Sequence, residues 1–344
     1  MRPIDSGARC IAILLKFIKS ASPKTREEAS KALRQIAIEE SSRGVIIQEG
    51  GLKLCSAVAT DDSYSKAVRL ETAHVLAQTL VTTNPNLLNE HQRKGVVKPL
   101  IYLCSESDAN NLMQFEALLS LTNILSCGVA EQEKFVSEKG ISIVHYLMFS
   151  DHLMVRRAAT ETLCNMAVHD NVVKMLKEKE KLPLWLGLCE EIDVERDGVA
   201  GNQHEESIKT AMASSGTLAT AAAIPEVADM MVQCNVASTL NLLFLSGNIG
   251  LGHRALVIVK YILSHEKKAY AEHLAFGNII QSMNEFVTNK GTEMFRELVG
   301  EVAVSFAVLM EEKVVTKDET IVPTASVKDS TAKIGENDKL VGYI

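Results

Sequence analysis

The sequence predicts an all-α fold, a right-handed α-solenoid of about seven stacked repeats. Three observations carry that prediction. With 47% hydrophobic but only 5% aromatic residues, few prolines, and abundant Ala, Leu, Val, Glu and Lys, the composition favours helix and leaves almost no material for strands. A small or turn residue followed by an apolar helix recurs mostly at intervals of forty to fifty residues, the armadillo/HEAT-like length of two or three helices per unit. After each such phrase comes a short polar turn and a longer helix, whose apolar residues recur three and four positions apart.

Taken in order, the shorter helices begin with SGARCIAILLKFI at Gly7, EGGLKLCSAVA at Gly51, KGVVKPLIYLC at Gly95, EKGISIVHYLM at Gly140, EKLPLWLGLC near Leu182, QCNVASTLNLLF near Asn235 and FGNIIQSMNEFV at Gly277. The longer helices that follow them are TREEASKALRQIAIE, KAVRLETAHVLAQTLV, NLMQFEALLSLTNIL, MVRRAATETLCNMAV, ESIKTAMASSGTLATAAA, HRALVIVKYILSH and MFRELVGEVAVSFAVLM. No single unit can bury its own apolar face, so the stack is the stable object, and it is expected over residues 1–315. One stretch breaks the rhythm. EEIDVERDGVAGNQHEE, about 190–206, is acidic and contains glycine, and it reads as an exposed insertion loop. Residues 316–344 have no helical period, are rich in Lys, Asp, Thr and Ser, and read as a disordered C-terminal tail.

The bulk numbers exclude several function classes. A net charge of −7 argues against nucleic-acid binding by phosphate neutralisation, which needs a basic face. Seven widely spaced cysteines, an odd number with no CxxC pair, read as small core residues in a reducing compartment. No uncharged apolar run is long enough to span a bilayer, and the first twenty residues do not make a signal peptide, so a cytoplasmic protein with no membrane partner is expected.

Aligned on their apolar periods, the long helices share one polar position: Gln35, Gln78, Asn123, Asn165, Thr220, Lys260 and Ser305. Glu28, Glu71 and Glu116 stand seven residues earlier, two turns up the same face, and the fourth repeat carries the line Arg157, Glu161, Asn165 at steps of four. In a right-handed stack the long helices line the concave face, where an amide can bond both the N–H and the C=O of an extended peptide. The polar line therefore reads as a groove, acidic with amides in its first half and more basic at His253 and Lys260. The competing reading is that these side chains bond the neighbouring repeat or form a solvated face.

Three stretches in this order and spacing, IIQEGGLKLC, QFEALLSLTNIL and above all MVRRAATETLCNMAV, resemble the UCS-domain myosin chaperones of the Unc-forty-five type. The likeness is good from about Val45 to His169 and looser outside it. It implies a cytoplasmic co-chaperone that binds the myosin motor domain in a concave armadillo groove, assists its folding and prevents its aggregation without hydrolysing ATP. Carried onto this chain, the family's client surface falls on Phe115, Glu116, Asn123, Tyr146, Arg156, Arg157, Glu161 and Asn165, with Phe115 and Tyr146 equally readable as core. Gln35 and Gln78 join this client-binding groove from the polar line. Animal members carry an N-terminal tetratricopeptide domain that docks on the ninety-kilodalton heat-shock chaperone. No such stretch stands in this sequence, so a fragment, a shortened isoform or a divergent member is expected, with any link to that chaperone indirect.

No enzyme reading finds a constellation of residues behind it. There is no HExxH, and His265 and His273 stand eight apart with no third ligand, so no metal is expected. GNIGLG, from Gly247 to Gly252, superficially resembles a phosphate-binding loop, but no strand precedes it and its glycines are in the wrong order; it reads as a turn between two helices. Neither a Walker lysine motif nor a GxSxG elbow occurs. A non-enzymatic function without cofactor is expected, the alternative to the chaperone being an armadillo-type adaptor that holds an extended peptide of another partner.

Overall fold

The computed structural model describes residues 6–192, 201–290 and 295–310. Within them the chain forms nineteen α-helices and no strand, as the composition requires. Seven long helices recur: α2 (Pro23–Ala37), α5 (Lys66–Leu80), α7 (Asn111–Leu125), α10 (Leu153–Cys164), α13 (Gly201–Ala221), α16 (Ile249–Ser264) and α19 (Arg296–Met310). Each packs on the next, α2 on α5, α5 on α7, and so on through α16 on α19, making one continuous layer.

A second layer covers its back. α1 (Ser6–Phe17) packs on α2, while α4 (Gly51–Ala59), α6 (Glu90–Ser105) and α9 (Gly140–Leu147) stack in sequence, followed by α12 (Leu182–Glu190), α15 (Val236–Leu245) and α18 (Ile279–Lys290). The corners are filled by the short helices α3 (Glu40–Gln48), α8 (Val129–Ser137), α11 (Asp170–Leu176), α14 (Pro225–Gln233) and α17 (Lys268–Phe276). The unit is thus three helices, an armadillo-type repeat, with α6 replacing two of them. A capping box between Asn89 and Gln92 starts α6, and the helix runs through Gly95, where a new helix was expected, carrying Pro99 inside it.

The recurring small residue of the sequence has a backbone cause. At four corners one residue adopts a left-handed conformation just before the second-layer helix: Gly50, Lys139, Asn235 and Asn278. Such a residue reverses the chain in a single step, and Gly or Asn carries it at least cost. After Lys139 comes Gly140, where a Cβ would lie 2.3 Å from the fully buried ring of Phe135 on α8, so only hydrogen lets the corner close. Most long helices start at side-chain caps: Ser22, Ser65, Asn110 and Asn248 each accept a backbone N–H of the first turn.

Three expectations need correction or limits. Residues 201–206, assigned to the exposed insertion, form the first turns of α13, while 193–200 lie outside the described residues, as does the proposed tail 316–344. Gly250 and Gly252 are not in a turn but inside α16; only Gly247 turns, with φ +71°, and a Cβ on Gly252 would meet the Phe286 ring at 2.2 Å. MVRRAATETLCNMAV is not one helix to its end. α10 stops at Cys164, Asn165 caps it, and α11 begins at Asp170.

Candidate functional site

The polar line on the long helices is mostly consumed by the helices themselves. At each junction in the layer one charged or polarisable pair crosses. Arg34 on α2 donates Nε to Glu71 on α5 at 2.6 Å, and His74 on α5 meets Glu116 on α7 at 2.5 Å. Arg157 on α10 lies over the Phe115 ring of α7, 5.4 Å from its centroid, and contacts Glu206 of α13 at 3.1 Å. Arg254 on α16 donates to the Met212 thioether of α13, and Lys260 on α16 meets Glu301 on α19 at 2.7 Å.

The amides behave the same way. Asn123 donates its Nδ2 to the carbonyls of Leu80 and Val81 at the end of α5, and Asn165 donates to Thr122 O of α7 at 2.8 Å. Between them the Thr122 and Thr162 hydroxyls share a buried hydrogen bond. These groups add side-chain donors to carbonyls in the last turns of α5 and α7, tying each long helix to the next. Gln78 is buried, with Oε1 unpartnered, and Gln35 is exposed. Of the outer members, Thr220 bonds back to its own helix at Gly216 O, and Ser305 is exposed.

Two candidate residues take no part in these junctions between long helices. Arg156, next to Arg157 in sequence, points the other way, donating to Ser150 O and to Glu191 beyond the end of α12. Tyr146 stands on α9, 79% exposed, beside a separate cleft of about 390 Å³ whose walls include Glu106, Gln114 and Ile143. Phe115, partly buried, packs against the core and carries the cation of Arg157 on its ring.

What the layer does gather is a cavity of about 310 Å³ spanning α10, α13 and α16, lined by Arg157, Glu161, Cys164, Lys209, Met212 and Arg254 among others. Burial pushes the Glu161 carboxyl up, opposed by the neighbouring Arg157. Burial likewise raises the Cys164 thiol and lowers the Arg254 guanidinium. Lys209, Met212 and Arg254 escape sequence reasoning because the family likeness is looser beyond His169 and because α13 starts within the presumed loop. The only trace they leave is a basic residue on α16 at Arg254, between His253 and Lys260. Among the described residues no group of three or more His, Cys, Asp or Glu could hold a metal ion, and no helix is long and apolar enough to cross a membrane.

No protein-family profile matches the chain. Two curated frog proteins do, both unc-45 homolog B: that of Xenopus laevis is 30% identical over 254 residues and that of Xenopus tropicalis 27% identical over 251, each match covering 71% of this chain and 25% of the relative. The chain is homologous to the UNC-45 proteins. It spans about a quarter of the length of these curated relatives. Among solved structures, UNC-45 from Drosophila melanogaster superposes with TM-score 0.73 at 22% identity, covering 88% of this chain and 36% of that one. A second UNC-45 chaperone, described as binding and folding muscle myosin, superposes with TM-score 0.71 at 19% identity, over 87% of this chain and 32% of its own. A designed armadillo repeat protein aligns with TM-score 0.52 over 73% of this chain, in keeping with the three-helix repeat seen here. The UNC-45 match thus extends over most of the layer, well beyond the Val45 to His169 stretch that carries the sequence likeness.

Proposed function

We propose that this chain is a myosin-directed co-chaperone, cytoplasmic and without catalytic activity of its own, that binds the myosin motor domain along the groove of its long-helix layer, assists folding and prevents aggregation. The observation that carries this reading is the placement of MVRRAATETLCNMAV. Most of the stretch that carries the resemblance lies in α10, at the middle of the layer, and it supplies Arg157 and Glu161 to the charged cavity. Its apolar positions, Val155, Ala158, Ala159 and Leu163, are buried in the stack with Thr160 and Thr162, so Arg157 and Glu161 are the polar residues of the motif that line the cavity.

The second reading, an adaptor holding an extended peptide by an amide ladder, has less support. Asn123 and Asn165 use their N–H groups on neighbouring carbonyls, and Gln78 is buried, so the side chains that would clamp a peptide backbone are engaged within the stack. Size-exclusion chromatography of the chain mixed with a purified motor domain distinguishes the readings. Co-elution that survives an excess of unrelated extended peptide supports the chaperone, whereas no complex with a folded motor domain counts against it. Any connection to the ninety-kilodalton heat-shock chaperone is proposed to be indirect.

A further inference from the structure

In the long-helix layer, one junction is built differently from the rest. Arg34, His74, Arg157 and Lys260 each face a carboxylate on an adjacent long helix. Among the described residues Arg254 faces none: its guanidinium donates to the Met212 sulfur, a weak acceptor. The other two cations of the cavity are already matched, Arg157 with Glu206 and Glu161, and Lys209 with Glu205 and Glu206. Glu161, its carboxyl pushed up by burial, pairs with Arg157 at 3.8 Å. Room for the guanidinium is provided by Gly216, where a Cβ would lie 3.2 Å from Arg254 Nε and 3.4 Å from Cys164 Sγ. A half-buried arginine without a counter-ion among the described residues, opening on a cavity of about 310 Å³, is costly to keep unless something neutralises it.

We propose that Arg254 is the receptor for a carboxylate side chain, an Asp or Glu of the bound client polypeptide, seated in the cavity between α10, α13 and α16. The fit is one of charge and geometry: a planar guanidinium presents paired donors that match a carboxylate, and a desolvated pair discriminates strongly against a neutral amide of the same shape. The client part rests on the proposed chaperone reading; the receptor itself does not.

The test has two arms. A capped Ala-Glu-Ala tripeptide and its Ala-Gln-Ala counterpart are titrated into the whole chain while the Arg254 side-chain N–H resonance, assigned by its loss in Arg254→Lys, is followed by NMR. A saturable shift with the glutamate peptide alone is expected; equal responses, or none, overturn the receptor. In the second arm, motor-domain affinity is measured for the wild type, Arg254→Met and Gly216→Ser, with thermal melting as the check on folding. About tenfold weaker binding by Arg254→Met at an unchanged melting temperature is expected, with a smaller loss for Gly216→Ser. Equal affinity of the wild type and Arg254→Met overturns the client anchor. A wild type that does not bind the motor domain overturns the chaperone reading, and the tripeptide arm then decides the receptor by itself.

Discussion

Asn165 illustrates how a residue can look like a ligand and act as a tie. Its backbone N–H caps α10 while its side-chain amide donates to Thr122 O across the helix crossing, so Asn165→Ala keeps the cap and removes that one inter-helix hydrogen bond. A loss of about 1 kcal/mol in urea unfolding is expected, and a similar loss for Asn123→Ala, with the double mutant near the sum. Wild-type stability in both would return the amides to the groove. Glu161 is different, because it balances Arg157 and lies near Lys209 in a desolvated cavity that also holds Arg254. Glu161→Lys gathers a fourth cation there, and a destabilisation of about 3 kcal/mol is expected, read as a lowered midpoint in denaturant. From the sequence, the register of these residues was legible, since their spacing follows the helical repeat. Their partners were not: whether a polar side chain on a long helix points to solvent or to the carbonyl of a residue some forty positions earlier depends on the crossing of two helices, which no local pattern encodes.

At the scale of elements, the corners decide the repeat. Gly140→Ala places a methyl group against the Phe135 ring, which is fully buried and cannot swing away without disturbing α8 and α9 together. A cost of about 2 kcal/mol is expected by thermal or chemical denaturation, whereas Gly187→Ala, inside α12 with a Cβ that meets nothing, serves as the clash-free control and is expected to stabilise by up to about 1 kcal/mol. The helices themselves were legible as apolar periods between small residues. Two elements were not. Fusion of two helices into α6 depends on Gly95 and Pro99 being tolerated within a helix, although both usually mark a break. The early start of α13 hides in an acidic, glycine-containing stretch, where Lys209 meets Glu205 and Glu206 a turn or so apart and so turns like-charge repulsion into pairing.

The whole molecule is a row of repeats, each leaning on its neighbours, so stability is a local sum rather than the property of a single core. α5 buries eleven of its fifteen residues, whereas α19 buries only Val302, Phe306 and Ala307. Amide hydrogen exchange is therefore expected to be slowest in α5, α7 and α10 and to quicken toward α19, and uniform protection along the row would contradict this. The same construction lays α10, which lines the charged cavity, at the centre of the layer, where the proposed client would meet the best-protected helices. The deciding measurement is light scattering from a purified myosin motor domain, heated with and without an equimolar amount of this chain. Suppressed aggregation, accompanied by recovery of a complex, is the expected result. Unchanged aggregation in the presence of the folded, helical chain would contradict a myosin chaperone.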